Sequence, residues 1–250
     1  MVERLAHDRW HAVDDGLTVG RGDASRRPDG RLFVSVDAWH APVFDRVAAM
    51  MVRDLPRPLY AVVDGADSES ASNWERAGFT VARREWQYVV PTDPQVTGLD
   101  AVKAPAGVTI VPAGEADGDL LRAVDDAIRH EVETTGGWST MQAEVAPYPE
   151  RTALTEPSTY AAAVQDGRYL GLVRATSGPR RARIGLIAVL ADQRRRGIGR
   201  ALLAHALSAL HHSGIASVAV DVPESNAAAV ALFEGAGARR TGSNLELVRA

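Results

Sequence analysis

The spacing of apolar and polar positions predicts strands that alternate with helices along the whole chain. Runs in which every second residue is apolar indicate half-buried strands, and apolar residues three or four positions apart indicate amphipathic helices. The first half predicts the two strands of a hairpin, a helix, a strand, a helix and one or two closing strands, at residues 17–19, 32–36, 41–55, 59–63, 68–77 and 79–90. Strands with interleaved helices imply a layered fold of the α/β or α+β class.

A polar stretch rich in Pro and Gly separates this half from the rest. Residues 91–98 and 103–107 contain turn-forming residues and few apolar ones. The second half then predicts a strand, a helix, three strands, a helix, a strand, a helix and a final strand, at residues 108–111, 117–131, 160–164, 169–175, 183–189, 199–212, 216–222, 226–235 and 244–248. We therefore predict an N-terminal domain at 1–95, a linker at 96–107 and a C-terminal domain at 108–250.

The ends of the two halves resemble each other. In each half a strand ending in Val-Asp is followed by a helix and a glycine. Trp74 aligns with Phe233, and Gly78 aligns with Gly237, at one common offset. An internal duplication explains this pattern, although any two strand–helix–strand units that end in a glycine cap look alike.

Composition and charge exclude several classes of function. A hydrophobic content of 46% and a charged content of 24% are ordinary for a globular protein. The net charge of -4 argues against nucleic acid as the main partner. The chain has no cysteine, which excludes disulfides and thiolate metal sites, and we expect no metal. With no secretory leader and no apolar run near the length of a membrane span, the sequence predicts a cytoplasmic protein without a membrane partner.

The clearest chemical signal lies between the predicted strand 183–189 and the predicted helix 199–212. We call residues 194–199, with the sequence Arg-Arg-Arg-Gly-Ile-Gly, the Arg/Gly loop. Its glycines let backbone N–H groups converge, and a helix N-terminus adds unpaired donors and partial positive charge. Together with the arginines, these donors predict a site suited to a pyrophosphate. The loop is neither a Walker loop nor a complete dinucleotide fingerprint, because the required downstream residues are missing.

Two motifs carry a resemblance to a known family. The pattern Val189-x4-Arg194-x2-Gly197-Ile198-Gly199 resembles motif A of the GNAT superfamily of acyl-CoA-dependent N-acyltransferases. Downstream, Asn226-x2-Ala229-x3-Phe233-x3-Gly237 resembles motif B of that family. The resemblance covers roughly residues 108–250 and implies a GNAT-like mixed central sheet flanked by helices. The first 95 residues resemble the C-terminal part of the same fold but lack a Gly-x-Gly loop, so we expect two tandem GNAT-like units with a degenerate first repeat.

The resemblance implies which residues hold acetyl-CoA, the only cosubstrate expected. The pantetheine arm would pair with the edge of the predicted strand 183–189 through the main chain of Ile187 and Val189, and the N–H groups of residues 194–200 would hold the pyrophosphate. Asn226 would bind the pantetheine, or alternatively satisfy the start of its own helix. The implied binding set is Ile187, Val189, Arg194, Arg195, Arg196, Gly197, Ile198, Gly199, Arg200, Asn226 and Phe233.

Acetyl transfer to an amine also needs a proton acceptor. An alkyl amine with a pKa near 10 is only ~0.1% neutral at pH 7, a penalty of roughly 4 kcal/mol. The predicted strand 183–189 has no carboxylate, so Glu131, Glu133 and Asp221 are the candidates, each with a structural or solvent-facing role as the alternative. The family often has a tyrosine acid where this chain has Phe233. Either another group such as Tyr148 or Tyr160 replaces it, or the thiolate takes its proton from the product nitrogen. The catalytic candidates are therefore Glu131, Glu133, Asp221 and Tyr148.

These inferences favour an N-acetyltransferase that moves an acetyl group from acetyl-CoA to a primary amine of an unidentified small molecule. Because no cysteine can carry the acetyl group, direct transfer in a ternary complex is expected. A protein or peptide N-acetyltransferase is one alternative, and a non-catalytic acyl-CoA-binding or sensing module is another. Within the irregular stretch 134–157, the acceptor groove is expected in the segment 134–149, with Trp138, Met141 and Tyr148 as wall residues. The alternative is that this segment is a surface loop anchored by one buried tryptophan. The oligomeric state is open, with a homodimer as one option.

Overall fold

The structure, a computed structural model, describes residues 1–27, 30–135, 159–177 and 182–250 of the chain. These residues form two compact units, one of Met1–Trp86 with Gly242–Ala250 and one of Gln87–Thr241. The predicted α/β fold with a mixed sheet and flanking helices is confirmed. The contiguous division into 1–95, 96–107 and 108–250 stays a prediction, and the compact units differ from it because the last residues of the chain belong to the first unit.

The first unit is built from an antiparallel run of strands followed by strand–helix–strand connections. The predicted hairpin is confirmed, with Gly20 opposite Ala38 in its antiparallel ladder. The two strands before it were not predicted. In chain order the elements are β1 (Val2–Ala6), β2 (Arg9–Asp14), β3 (Leu17–Arg26), β4 (Leu32–Ala38), α1 (Ala41–Asp54), β5 (Leu59–Asp64), α2 (Ser68–Arg76), the first part of β6 (Thr80–Pro91) and the end of β12 (Arg239–Arg249).

The core of the first unit lies between α1, α2 and one face of these strands. The predicted apolar face of α1 is buried through Val43, Val47 and Met51. Trp74 of α2 packs edge-on against two phenylalanine rings, with its centroid 5.0 Å from that of Phe44 and 4.7 Å from that of Phe79. Such aromatic contacts add to the area that the rings bury.

The second unit holds a sheet in the order β12-β6-β11-β10-β9-β8-β7. Strands β7 to β10 form an antiparallel meander, whereas β10 and β11 are parallel. Its elements are the end of β6, α3 (Pro94–Thr97), β7 (Thr109–Val111), α4 (Gly118–Thr135), β8 (Tyr160–Gln165), β9 (Arg168–Ser177), β10 (Ala182–Val189), α5 (Ile198–His212), β11 (Ser217–Pro223), α6 (Ala227–Glu234) and the start of β12.

Two helices anchor the second unit to its sheet. Helix α4 buries Leu121, Val124 and Ile128 in a cluster with residues of β8 and β9. Every residue of the apolar stripe that the sequence shows on α5 is buried, namely Leu202, Leu203, Ala206, Leu207 and Leu210. Glu131, near the C-terminal end of α4, accepts the Ala191 N–H, so this end of α4 lies beside the segment that joins β10 to α5. No helix in the described ranges is long and apolar enough to cross a membrane.

The aligned ends of the two halves have the same local geometry. Gly78 after α2 and Gly237 after α6 both have left-handed backbone, with φ of 85° and 74°. The residue after each glycine donates its N–H to the backbone carbonyl of the aligned aromatic residue. Phe79 donates to the Trp74 carbonyl at 3.0 Å, and Ala238 donates to the Phe233 carbonyl at 3.1 Å. This shared cap is consistent with the aligned positions, and the duplication itself stays a prediction.

Candidate functional site

The parallel strands β10 and β11 diverge, and a cavity opens between them. Both strands are described in full, and their parallel hydrogen-bonded pairing is confined to one pair of residues, Arg183 opposite Ala219. The pairing of β10 with β9 shifts register between Ile184 and Leu186, which places a bulge at Gly185. Because a bulge bends and twists its strand, it accounts for the divergence. The resulting cavity of about 100 Å³ is lined by Ile184, Gly185, Leu186, Ile187, Val220, Asp221, Val222, Pro223, Asn226, Ala229 and Phe233.

A larger cleft of about 320 Å³ adjoins this cavity. Its walls come from the second half of α4, the end of β10 and the first turns of α5 and α6. The two spaces share Leu186, Ile187, Asn226 and Ala229, so they form one continuous site. The lining of the larger cleft is Asp125, Ile128, Arg129, Val132, Leu186, Ile187, Ala188, Val189, Arg194, Gly199, Asn226, Ala228, Ala229 and Leu232.

The Arg/Gly loop forms the mouth of this cleft with its backbone donors. Arg195 and Gly197 have left-handed backbone, with φ of 67° and 90°. Gly197 caps α5 without a side-chain hydrogen bond, and the helical ladder begins with the Ala201 N–H on the Gly197 carbonyl at 3.0 Å. The N–H groups of residues 198–200 have no acceptor among the described residues. Unpaired donors at a helix N-terminus are an anion site.

The three arginines of the loop and Arg200, which follows it, divide into two pairs. Arg194 donates from Nε to the Val189 carbonyl at 3.1 Å, and Arg196 donates from Nη2 to Gln165 Oε1 at 3.0 Å. Arg195 and Arg200 are exposed and form no ion pair with any residue that the structure describes. The first pair is therefore held against the protein, while the second pair is available to a bound anion.

The remaining predicted binding residues have mixed surroundings. Asn226 accepts the Ala229 N–H at Oδ1, at 3.1 Å, which is the helix-capping role left open by the sequence. It also lines both cavities, so the two roles are compatible. Ile198 is 1% exposed, so only its main chain can reach a ligand. Phe233 is also 1% exposed, and one side of it lines the smaller cavity.

The structure separates the four catalytic candidates. Asp221 lines the smaller cavity and forms an ion pair with Arg183, with Oδ2 2.5 Å from Nη2. Both Glu131 carboxylate oxygens accept the Ala191 N–H, at 2.9 and 3.1 Å. Glu133 is exposed on α4 and lines neither cavity. Tyr148 lies outside the described residues.

Of the other residues named for the acid and for the acceptor groove, Tyr160 is the one that the structure describes. Tyr160 is 1% exposed and packs in the core beneath α4. Trp138 and Met141 lie outside the described ranges, as does most of the stretch 134–157. The catalytic roles therefore stay predictions.

Sequence reasoning missed an ion pair in the cleft wall. Asp125 on α4 is 6% exposed and accepts from Arg129 Nε at 2.6 Å, and both residues line the larger cleft. The signal was present, because Asp125 falls on the apolar face of α4 between Val124 and Ile128, with an arginine four positions later. Buried charges persist when they are paired, so an aspartate at a core position is informative.

The donor set fits a phosphate-bearing ligand with a longer, mostly neutral arm. Backbone N–H groups and two exposed guanidiniums lie at the mouth, and a largely apolar cleft continues from them along β10. Within the described ranges no three His, Cys, Asp or Glu side chains are grouped to hold a metal ion.

Part of the chain matches a known protein family. Residues 126–238 match the family described as Acetyltransferase (GNAT) family. Over 51 residues, 20% of the chain, the sequence is 49% identical to the ribosomal protein bS18-alanine N-acetyltransferase of Escherichia coli strain K12, and the match spans only 34% of that relative.

Two solved structures have a similar fold. A GCN5-related N-acetyltransferase from Sphaerobacter thermophilus gives a TM-score of 0.69 at 19% identity, covering 99% of this chain and 82% of that chain. A tandem GNAT protein from the clavulanic acid biosynthesis pathway gives 0.64 at 17% identity, covering 97% and 82%. At these identities the similarity shows the fold.

Proposed function

We propose that the protein transfers an acetyl group from acetyl-CoA to a primary amine. The premise is that residues 126–238, which match the GNAT acetyltransferase family, form a domain of that family. The acceptor is a small molecule, and transfer is direct within a ternary complex. The observation that supports the proposal most is the Arg/Gly loop, whose unpaired N–H donors lie at the mouth of the cleft beside β10. Acetyl-CoA would supply an acetyl group activated as a thioester.

Each part of the site has a distinct role in this proposal. The N–H groups of residues 198–200, with Arg195 and Arg200, bind the phosphates. The edge of β10 that faces β11 is unpaired after Arg183 and offers main-chain groups to an extended arm, and Asn226 lies beside it. Leu186, Ile187 and Phe233 surround the divergence of the strands with apolar surface, which excludes water from the reacting groups.

The reaction joins the amine nitrogen to the acetyl carbon and breaks the carbon–sulfur bond. The proton that the nitrogen loses must reach a base, and the sulfur must gain one. Among the candidates in the described ranges, Asp221 is the carboxylate that lines the cavity where the strands diverge. Phe233 cannot donate a proton to sulfur, so the leaving thiolate takes either the proton that the attacking nitrogen loses or a proton from a residue such as Tyr148, which lies outside the described ranges.

Two observations favour specific alternatives. The E. coli relative acts on an alanine of a ribosomal protein, which favours a protein or peptide N-terminus as the acceptor. Position 233 has a phenylalanine, which has no proton to donate to the leaving thiolate. This favours a module that binds acyl-CoA without turnover. The release of free thiol from acetyl-CoA separates the three functions. Small amines would stimulate the release by a small-molecule acetyltransferase, peptides would stimulate it by a peptide acetyltransferase, and neither would do so for a non-catalytic module.

The binding half of the proposal is tested with a pair of glycine variants. Gly197 and Gly214 both have left-handed backbone, with φ of 90° and 78°, at opposite ends of α5. Gly197→Glu and Gly214→Glu therefore carry similar backbone strain and the same added charge, but only the first places that charge at the Arg/Gly loop. We expect CoA to raise the Tm of the wild type and of Gly214→Glu, and to leave that of Gly197→Glu unchanged.

The transfer half is tested by thiol release over panels of small amines and of peptides. Release that is stimulated by small amines and lost in Gly197→Glu supports the proposal. Stimulation by peptides alone would identify the second function, and binding of CoA without any release would identify the third. If CoA raises the Tm of neither the wild type nor Gly214→Glu, the proposed site is wrong.

A further inference from the structure

Glu131, near the C-terminal end of α4, connects this helix to the segment that leads into the Arg/Gly loop. Both carboxylate oxygens accept the Ala191 N–H, at 2.9 and 3.1 Å. Oε2 also lies 3.4 Å from Nη2 of Arg194, whose Nε donates to the Val189 carbonyl at 3.1 Å. One carboxylate therefore holds both the backbone before the loop and the first side chain of the loop.

These contacts act where the chain leaves β10. Ala191 is the first residue of a 3-10 turn, Ala191–Gln193, that directs the backbone toward residue 194. A hydrogen bond from a backbone N–H to a carboxylate is charge-assisted and stronger than one between neutral groups. Fixing the Ala191 N–H therefore fixes the direction in which the loop starts. The same helix supplies Ile128 and Val132 to the cleft wall, so the wall and the loop are held together.

We infer that Glu131 is a positioning residue, which holds the Arg/Gly loop in the shape that binds the phosphates of acetyl-CoA. This inference rests on the proposed function and assigns a role to one of the candidate bases. Glu131 lines neither cavity of the described residues, and its two oxygens are turned to Ala191 and Arg194. A general base must lie within hydrogen-bond reach of the proton that it removes.

The first test compares Glu131 with another carboxylate on the same helix. Asp126 is exposed on α4 and lines neither cavity, so Asp126→Ala is the matched control for Glu131→Ala. We expect Glu131→Ala to weaken CoA binding about 5- to 20-fold, as the loss of a charge-assisted bond implies, with kcat within about 2-fold. Glu131→Gln keeps an acceptor oxygen for the Ala191 N–H and should recover most of the affinity. Calorimetry with CoA and steady-state kinetics give the two quantities.

The second test removes the donor instead of the acceptor. Ala191→Pro deletes the N–H that Glu131 accepts, but proline also fixes φ at a value that suits the first residue of such a turn. The preceding Leu190 has ψ of 142°, which is compatible with a following proline. We expect Ala191→Pro to bind CoA within about 2-fold of the wild type. In the Ala191→Pro background, Glu131→Ala should weaken CoA binding by less than about a further 2-fold, because the loop no longer depends on the carboxylate.

The outcomes separate this inference from the proposed function. CoA affinity in Glu131→Ala equal to that in Asp126→Ala would overturn the inference, as would a loss of ~100-fold in kcat at unchanged affinity, which would instead make Glu131 the base. The inference would also be overturned if Glu131→Ala weakened CoA binding as much in the Ala191→Pro background as in the wild type. If neither the wild type nor Asp126→Ala binds CoA, the proposed function fails. Amide hydrogen exchange at Ala191 without ligand still tests the restraint, with faster exchange expected in Glu131→Ala but not in Asp126→Ala.

Discussion

Asp221 is the catalytic candidate whose immediate surroundings bear most directly on the reaction. It pairs with Arg183, with 15% of the Asp221 side chain and 46% of the Arg183 side chain exposed. A pair at such exposure contributes only about 0–1 kcal/mol to stability. The stability of the fold therefore does not explain why a carboxylate lies where the two strands diverge. The Arg183 guanidinium contacts the carboxylate beside the cavity, with Nη2 2.5 Å from Oδ2.

A matched pair of variants tests this role. If Asp221 accepts the proton, Asp221→Asn lowers kcat by ~100-fold or more, because general base catalysis contributes about that much. Arg183→Ala removes this ion pair but leaves the carboxylate, so we expect kcat to fall by less than about 10-fold. Steady-state kinetics, with urea unfolding to confirm that both variants fold, make the measurement. Equal losses in the two variants would assign the effect to the ion pair instead.

At the same scale, residue type alone predicted some roles and missed others. The left-handed backbone at Gly197 and the exposed charge of the arginines in the Arg/Gly loop could be predicted from sequence because they depend on residue type and local backbone geometry. The partner of Glu131 could not, because the Ala191 N–H is brought to it across 60 positions of the chain by the packing of α4 on the sheet. Asp125 was overlooked because an exposed aspartate on a helix is the ordinary case.

At the scale of elements, the contact between β9 and β10 sets the path of the cleft wall. Gly171 of β9 lies opposite Val189, and a Cβ at this position would be 2.6 Å from the Ala188 carbonyl oxygen and 3.1 Å from the Val189 Cα. Backbone atoms cannot rotate away, so Gly171→Ala must displace the end of β10. We expect a loss of about 1–3 kcal/mol in the free energy of unfolding, together with weaker CoA binding.

The neighbouring strand offers the control. A Cβ added to Gly185 of β10 would have no heavy atom within 4 Å among the described residues, and Gly185 has no left-handed backbone. Gly185→Ala should therefore change the unfolding free energy by less than about 1 kcal/mol. Urea unfolding of both variants decides the comparison. Equal stability of the two proteins would mean that β9 and β10 are not as close at Gly171 as the structure has them.

Elements with a strong period were predicted well, but apart from the β3–β4 hairpin their pairing was not predicted. Helix α5 begins at residue 198 and was predicted from 199, and β5 differs from its prediction by one residue. Strands β1 and β2 were missed, although Trp10 and Ala12 alternate with polar residues in β2. The antiparallel pairing of β12 with β5 joins residues more than 180 positions apart, such as Leu247 and Ala61. Periodicity identifies the buried face of a strand but not its neighbour.

At the scale of the whole molecule, the two halves differ in what they can hold. Between Ala38 at the end of β4 and Ala41 at the start of α1 there are only Trp39 and His40. The segment that leads from β10 into α5 spans residues 190–197, which is long enough to turn several N–H groups toward one anion. The first turn of α1 also contains a proline, which removes a donor.

The protein should therefore bind one CoA per chain. A net charge of -4 opposes nonspecific binding of a polyanion, so binding depends on the Arg/Gly loop, where the donors and arginines concentrate. Calorimetric titration of the wild type should give a stoichiometry of one, and Gly197→Glu should remove all detectable binding, since the described residues of the first half contain no comparable loop. A stoichiometry of two, or residual binding of one CoA in Gly197→Glu, would show that the first half holds a site built on different groups.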